Sequence, residues 1–316
     1  LNDVQTAVLG LLWPVLALSG CRPATPSPIP APSATAGDTP AAAAPTPAFG
    51  PLTIGLSLRR VDVNGTERTY YLYVPKDFSI ENPLSVVMVF HGYGQEGGTI
   101  IPAAGFNPLA DSHSFLAVYP NGSGPEGQLS WNAGGCCGYA LENGVDDVAF
   151  VRRILVDLGG RAAVDPRRIF AAGFSNGGIL AYRLACRLSD VLAAVAPVSA
   201  AYFADGCRPS EPVSVIHIHG SADEAVPFAG GTTGGMEWPP VEDGLAAWAA
   251  FNGCSRNPLR GGIGMATRIF YSGCDAGSSV ELFLLKDIGH RWPPDGVWPA
   301  SRTIWEFFSA HPKREK

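Results

Sequence analysis

The chain has 316 residues, of which 46% are hydrophobic and 16% charged, with a formal net charge of −6 at pH 7. That apolar fraction easily supplies the core of a large globular domain. The mildly acidic balance excludes the basic stripe that a nucleic-acid-binding surface would show.

Residues 1–21 open with an apolar run from Ala7 to Leu18. The run is shorter than the about 20 residues a membrane-spanning helix needs, and it reads as the core of a signal peptide. It ends in Leu18-Ser19-Gly20-Cys21, which resembles a bacterial lipobox with Cys21 as the lipid-modified residue. An ordinary secretory cleavage site near the same point is the alternative. The usual positive n-region is missing, since Asp3 is the only charged side chain before Arg22. Residues 22–51 are rich in Pro, Ala, Thr and Ser and too poor in apolar side chains to bury a core, so a disordered, extended tether is expected there. The folded domain is expected over residues 52–316.

That domain begins with strand-like runs at 52–60 and 67–74 around Val63-Asn64-Gly65-Thr66, and Asn-Gly is a strong hairpin signal. Further strands are expected at 85–91, 115–119, 168–173, 193–198, 214–219 and 280–285. Helical patterning lies between them. Val145, Val148, Val151, Leu155 and Leu158 fall on one helix face. Asp146 and Asp147 stand at its start, where the helix dipole favours carboxylates, so they read as capping groups rather than catalysts or metal ligands. Strands alternating with helices predict an α/β fold: a mostly parallel, doubly wound sheet with flanking helices and an N-terminal antiparallel hairpin.

The chemistry concentrates at Gly173-Phe174-Ser175-Asn176-Gly177. This G-x-S-x-G sequence follows an apolar strand and precedes a helix, the context of a nucleophile elbow on an α/β-hydrolase scaffold. The flanking glycines keep side chains out of the crowded turn, so the Ser175 hydroxyl stands clear of the sheet. On such a scaffold the chain order is serine, acid, histidine. Of the six histidines, only His290 and His311 lie beyond every plausible acid. His311 sits in a polar tail, whereas His290 follows the 280–285 strand, so His290 is the expected base. The acid is read as Asp223, in the turn leaving the buried 214–219 strand. Asp190, Asp205, Asp243 and Asp275 follow no comparable central strand, and Asp287, so close to His290 in sequence, reads as a solvated turn residue. Acyl transfer develops negative charge on a carbonyl oxygen, which fixed backbone amides stabilise best. Tyr93, in His91-Gly92-Tyr93-Gly94 after the 85–91 strand, and Asn176 are the expected oxyanion-hole donors, with His91 bracing the loop.

Together these stretches resemble a secreted esterase family that includes bacterial polyhydroxybutyrate depolymerases, their lipoprotein relatives, and the feruloyl and acetyl xylan esterases of carbohydrate esterase type 1. The similarity covers about residues 52–310. It also takes in Trp131-Asn132, Cys136-Cys137-Gly138, Val145-Asp146-Asp147-Val148, His219-Gly220-Ser221-Ala222-Asp223 with Val226-Pro227-Phe228, and Gly289-His290-Arg291-Trp292-Pro293. The resemblance implies the same Ser175, Asp223 and His290 as the triad. Many depolymerases carry Cys then Gln where this chain has Tyr93 and Gly94, which weakens a specific assignment to polyhydroxyalkanoates.

Six cysteines follow Cys21, an even number that suggests disulfides in an exported chain. The expected pairs are Cys186–Cys207 and Cys254–Cys274, leaving Cys136 and Cys137 as either a vicinal disulfide or thiols. No zinc-type spacing occurs, and no metal or cofactor is expected. Trp131, Trp238 and Trp292 fall in loops, and Trp131 and Trp292 are candidates for contact with substrate. The Gly-rich stretch 230–240 is expected to be a loop bordering the acyl site.

The function expected is a secreted serine carboxylic ester hydrolase acting on feruloyl or acetyl esters of plant polysaccharide, or on hydroxyalkanoate-type polyesters. A serine peptidase on the same fold and a non-catalytic surface-binding lipoprotein are the alternatives. The expected partner is an ester substrate rather than nucleic acid. The chain is expected to be a monomer that meets a membrane only through the lipid anchor of an extracellular bacterial lipoprotein.

Overall fold

The Asn-Gly signal forms the expected turn. In the computed structural model, which describes residues 50–204 and 206–314, strands β1 (Gly55–Val63) and β2 (Thr66–Val74) pair antiparallel with Val63 opposite Thr66. Asn64 and Gly65 have φ of 54° and 83°, the two positive values that a type I′ turn requires. The expected signal peptide, Cys21 and nearly all of the 22–51 tether lie outside the described residues.

After the hairpin come β3 (Leu84–Phe90), α1 (Gly97–Ala104), α2 (Phe106–His113), β4 (Phe115–Pro120), α3 (Tyr139–Glu142), α4 (Asp147–Gly159), β5 (Val164–Phe174) and α5 (Asn176–Arg187). They are followed by β6 (Ala194–Val198), β7 (Ser214–Gly220), β8 (Gly231–Thr233), β9 (Met236–Trp238), α6 (Val241–Phe251), β10 (Leu259–Ile263), β11 (Ala266–Tyr271), β12 (Val280–Leu285) and α7 (Ala300–Ala310). The main sheet has the order β1-β2-β4-β3-β5-β6-β7-β12-β11-β10. The run from β4 to β12 is parallel, with antiparallel pairs at both edges.

The alternation of side chains along a strand divides the interior into two cores. Val86, Met88 and Phe90 of β3 join the core that holds Phe150 and Ile154 of α4, Leu180 of α5 and Trp248 of α6. Val87 and Val89 join the opposite core, with Ile100 of α1, Phe106 of α2 and Phe308 of α7. A strand buried on both faces reads as a continuous apolar run, which is why the central strands are visible in the sequence.

Three elements differ from expectation. Stretch 230–240 is not a plain loop, since β8 and β9 pair within it. The β10–β11 hairpin is also new: all five residues of β10 are exposed and two are glycines, so the strand is set by pairing with β11 rather than by its own pattern. The buried face of α4 is Phe150, Val151, Ile154 and Leu158, while Val148 and Leu155 are only half-buried and Val145 precedes the helix.

The two aspartates at the start of α4 separate in role. Asp146 caps the helix, accepting from the Ala149 amide at 2.9 Å. Asp147 is buried; it pairs with Arg68 at 2.9 Å and accepts from the Asn132 amide at 2.7 Å. The Arg68 guanidinium lies 4.1 Å from the centre of the Phe150 ring. Disulfides join Cys186 to Cys207, Cys254 to Cys274 and Cys136 to Cys137.

Removing one partner of a buried ion pair leaves an uncompensated charge. Arg68→Leu is expected to cost about 3–5 kcal/mol of stability at pH 7, read from urea unfolding. A loss below about 1 kcal/mol would show that Asp147 does not depend on this pairing.

Candidate active site

The order β4-β3-β5 means that the chain extends the sheet one way from β3 to β4 and then returns to the other side of β3 with β5. In open α/β sheets ligands bind outside the carboxyl ends of the strands at such a reversal. The 91–95 loop leaves β3 at this place, and Ser175 leaves β5.

Ser175 has φ 53° and ψ −120°, the strained backbone of a sharp strand-to-helix turn. A Cβ at Gly173 would overlap the Gly177 carbonyl, and one at Gly177 would overlap the Phe90 carbonyl. Both glycines are therefore required by close approach of backbone to backbone. The Ser175 amide is tied to the Val198 carbonyl at 2.9 Å, which fixes the elbow to β6.

Two further loops are laced together beside it. Ser221 N donates to Leu285 O at 2.8 Å and Ala222 N to Ile288 O at 2.9 Å. Asp287 N donates to the Ser221 hydroxyl at 3.0 Å, and Ser199 Oγ donates to Arg291 O at 3.3 Å. These bonds hold the turn carrying Asp223 against the loop carrying His290. His290 Nδ1 lies 3.0 and 2.9 Å from the two Asp223 oxygens, and Nε2 lies 3.0 Å from Ser175 Oγ. A carboxylate only accepts, so the Nδ1 nitrogen carries the hydrogen and Nε2 presents a lone pair to the serine hydroxyl. The Phe174 ring lies 4.9 Å from the imidazole, centre to centre.

Asp223 Oδ1 also accepts from the amides of Ala225 and Val226, at 3.0 and 2.9 Å. Burial works to raise the Asp223 pKa. The His290 hydrogen bond and the Val226 amide, with the electrostatic pull of the His290 and His219 rings, outweigh it and bring the value below the usual carboxylate range.

The 91–95 loop is braced from inside. Gly122 N must donate to His91 Nε2, at 2.9 Å, so His91 Nδ1 carries the hydrogen and donates to Gly92 O at 2.8 Å. Burial pushes the His91 pKa down to about 4; the Gly92 carbonyl opposes this and the Arg68 charge adds to it. Gly92 N is bound by Gln95 Oε1 and Gly94 N by Leu129 O. The amides of Tyr93 and Asn176, the two expected oxyanion donors, have no partner among the described residues. The Asn176 amide opens α5, where backbone N–H groups have no intrahelical acceptor. Its side chain accepts from Trp131 N at 2.7 Å and donates to Cys136 O at 3.1 Å.

Trp131 and Trp292 require correction as substrate-contact candidates. Trp131 is 0% exposed, its Nε1 donates to His91 O at 2.9 Å, and its ring meets Phe90 edge-on. Trp292 is 7% exposed, donates from Nε1 to Ser301 Oγ at 3.0 Å and packs on Phe106. Trp238 is buried too. Trp131 is a brace of the 91–95 loop, not a surface for ligand. Tyr93, for which the sequence points to the amide alone, carries a ring that is 51% exposed.

A mostly parallel sheet with a serine elbow at its point of reversal is the architecture of the α/β-hydrolases. The chain belongs to the esterase PHB depolymerase family, whose family model matches residues 68–233, and it is a carboxylic ester hydrolase. It is 34% identical over 187 residues to feruloyl esterase B of Piromyces equi, a match that spans 56% of this chain and 34% of that protein. It is 31% identical over 260 residues to a probable feruloyl esterase C of Aspergillus niger, across 78% of this chain and 85% of the relative. Among solved structures, an acetyl xylan esterase from Aspergillus awamori superposes with a TM-score of 0.60 at 16% identity, over 80% of this chain and 99% of that one. That likeness is one of fold.

The bracing leads to two expected outcomes. Trp131→Phe keeps an aromatic side chain but removes part of the buried indole together with its N–H to His91 O; it is expected to cost about 2–5 kcal/mol of stability and to leave KM unchanged. A raised KM with unchanged stability would restore Trp131 to the substrate surface. The second outcome concerns acid. An unfolded imidazole binds a proton below about pH 6.5, whereas folded His91 resists it, so its contribution is complete above that pH and is lost as pH falls toward about 4. The shift corresponds to roughly 3 kcal/mol. Buried His217 and His219 act in the same direction. Unfolding free energy should therefore drop between pH 7.5 and 4.5, and drop less in His91→Gln; an equal drop would assign the loss elsewhere.

Proposed function

We propose that this esterase works through Ser175 as nucleophile, His290 as general base and acid, and Asp223 as the group that orients and stabilises the imidazolium. The observation that carries the reading is the unbroken contact from Asp223 through His290 to Ser175 Oγ, each step at 3.0 Å or less. His290 Nε2 takes the serine proton as Oγ attacks the ester carbonyl. The resulting oxyanion meets the Tyr93 and Asn176 amides, which need no reorganisation because their loop is already braced. His290 then protonates the departing alcohol, and water attacks the acyl-enzyme by the same route.

The substrates in this reading are feruloyl or acetyl esters carried on plant polysaccharide, or polyesters of hydroxyalkanoate type. The names of the relatives support the first, and the family description supports the second. Action outside the cell is supported by the three disulfides, which persist in oxidising compartments. Anchorage through Cys21 rests on the lipobox pattern alone.

Ser175→Ala is expected to abolish hydrolysis of p-nitrophenyl acetate, and Asp223→Asn to lower kcat by about 10⁴-fold. More than about 1% residual activity in purified Ser175→Ala would overturn the mechanism. Comparing kcat/KM on methyl ferulate, acetylated xylan and polyhydroxybutyrate films then ranks the substrate classes; higher turnover of peptide p-nitroanilides would reject them all.

A further inference from the structure

Strand β7 is apolar except for Ser214 at its start and two imidazoles, His217 and His219, and both are fully buried. At alternate positions they share one side of the sheet. All four ring nitrogens are used. The Tyr182 hydroxyl lies 2.8 Å from His217 Nδ1, His217 Nε2 lies 3.0 Å from His219 Nδ1, and His219 Nε2 lies 2.9 Å from Val226 O.

The direction of every proton in this row is set by its last member. A carbonyl oxygen only accepts, so His219 Nε2 carries the hydrogen. Burial holds both imidazoles below their ordinary pKa, so each is neutral; the Val226 carbonyl and Asp223 act against this at His219 without overcoming it. A neutral His219 has a bare Nδ1, which must accept from His217 Nε2. His217 Nδ1 is then bare in turn, and it accepts the Tyr182 hydroxyl proton. The row runs one way, from Tyr182 to Val226.

Its end point lies directly on the acid. Val226 is the residue whose amide holds Asp223 Oδ1, and His219 Nε2 also stands 3.6 Å from Asp223 Oδ2. Oδ2 is the oxygen closer to His290 Nδ1, at 2.9 Å. Neutrality matters here. A positive imidazolium 3.6 Å from the carboxylate would compete with the His290 cation formed during the reaction, whereas a neutral N–H steadies the turn and leaves the charge of Asp223 to His290.

We propose that Tyr182, His217 and His219 are positioning residues: their one-way row of hydrogen bonds fixes the 223–226 turn so that Asp223 faces His290 in the geometry the reaction needs. The proposal rests on Asp223 being the acid of the triad.

A double-mutant cycle on p-nitrophenyl acetate hydrolysis tests it. His219→Leu removes the donor to Val226 O and is expected to lower kcat by about 100-fold with KM within about twofold. His219→Gln, whose amide can still donate to that carbonyl, should come within about fivefold of the wild type. Tyr182→Phe keeps the ring packing and should lose about threefold. In an Asp223→Asn background the His219→Leu loss should shrink to less than about threefold, because the group through which it acts is already disabled. Equal losses in the two backgrounds, or His219→Gln as impaired as His219→Leu, would overturn the positioning row while leaving the triad standing. If His219→Leu does not fold, Tyr182→Phe completes the cycle, its about threefold loss expected to fall below about 1.5-fold in the Asp223→Asn background and an undiminished loss there overturning the row. An Asp223→Asn enzyme within about tenfold of the wild type would remove the acid itself, and the row with it.

Discussion

The site depends on how closely the turn between β5 and α5 approaches the end of β3. That approach is possible only because Gly173 and Gly177 present bare backbone, one to the other and the second to the Phe90 carbonyl. Ser175 is left at positive φ, a strain of order 1–3 kcal/mol that persists only where the surroundings over-determine it. They do so here through three separate ties. The Ser175 amide is held by β6, and the Asn176 side chain is held by Trp131 and by Cys136. Trp131 in turn holds the His91 carbonyl at the foot of the loop with the Tyr93 amide. The serine and the proposed oxyanion donors are therefore parts of one packed unit.

The remaining groups are brought in by the sheet acting as a ruler. Five neighbouring strands, β3, β5, β6, β7 and β12, end at the same edge. Each contributes a group from just past its end: the 91–95 loop, Ser175, Ser199, Asp223 and His290 respectively. His290 is 115 residues from Ser175 in sequence, yet their atoms lie 3.0 Å apart. Parallel pairing sets the spacing and the lacing between 220–223 and 285–290 sets the angle, so no long mobile segment has to find its place.

Such a layout explains what the sequence discloses. Strands buried on both faces announce themselves as apolar runs, and once their order is fixed the residue just past each end has a known neighbourhood. The placing of Asp223 and His290 past neighbouring strand ends is legible for that reason, and so is the Asn64-Gly65 turn, which is a local event. Trp131 and Trp292 mislead because loop position says nothing of burial; their indole N–H groups are satisfied by His91 and Ser301, partners that no local pattern discloses. Asp147 fails in the same way, since its Arg68 partner lies 79 residues upstream. Strand β10 is invisible because all of its residues are exposed and its pairing is imposed by β11. Whether Cys136 and Cys137 join was open on sequence grounds, as adjacency alone does not decide it.

The imidazoles near this edge show one side chain taking different parts according to the atom opposite each nitrogen. His91 is fixed between a carbonyl and an amide, both rigid, and serves as a strut. His217 and His219 face a hydroxyl, each other and a carbonyl, so their protons have a single arrangement. Among the described residues only His290 has a ring nitrogen within hydrogen-bond distance of a carboxylate and the other facing a hydroxyl that can lose its proton. It is also part-exposed, where the other three are sealed. Burial holds all three below the usual imidazole pKa, and of them it is His219 that stands beside Asp223, at 3.6 Å. In the proposed mechanism, a neutral His219 beside Asp223 leaves that carboxylate to His290.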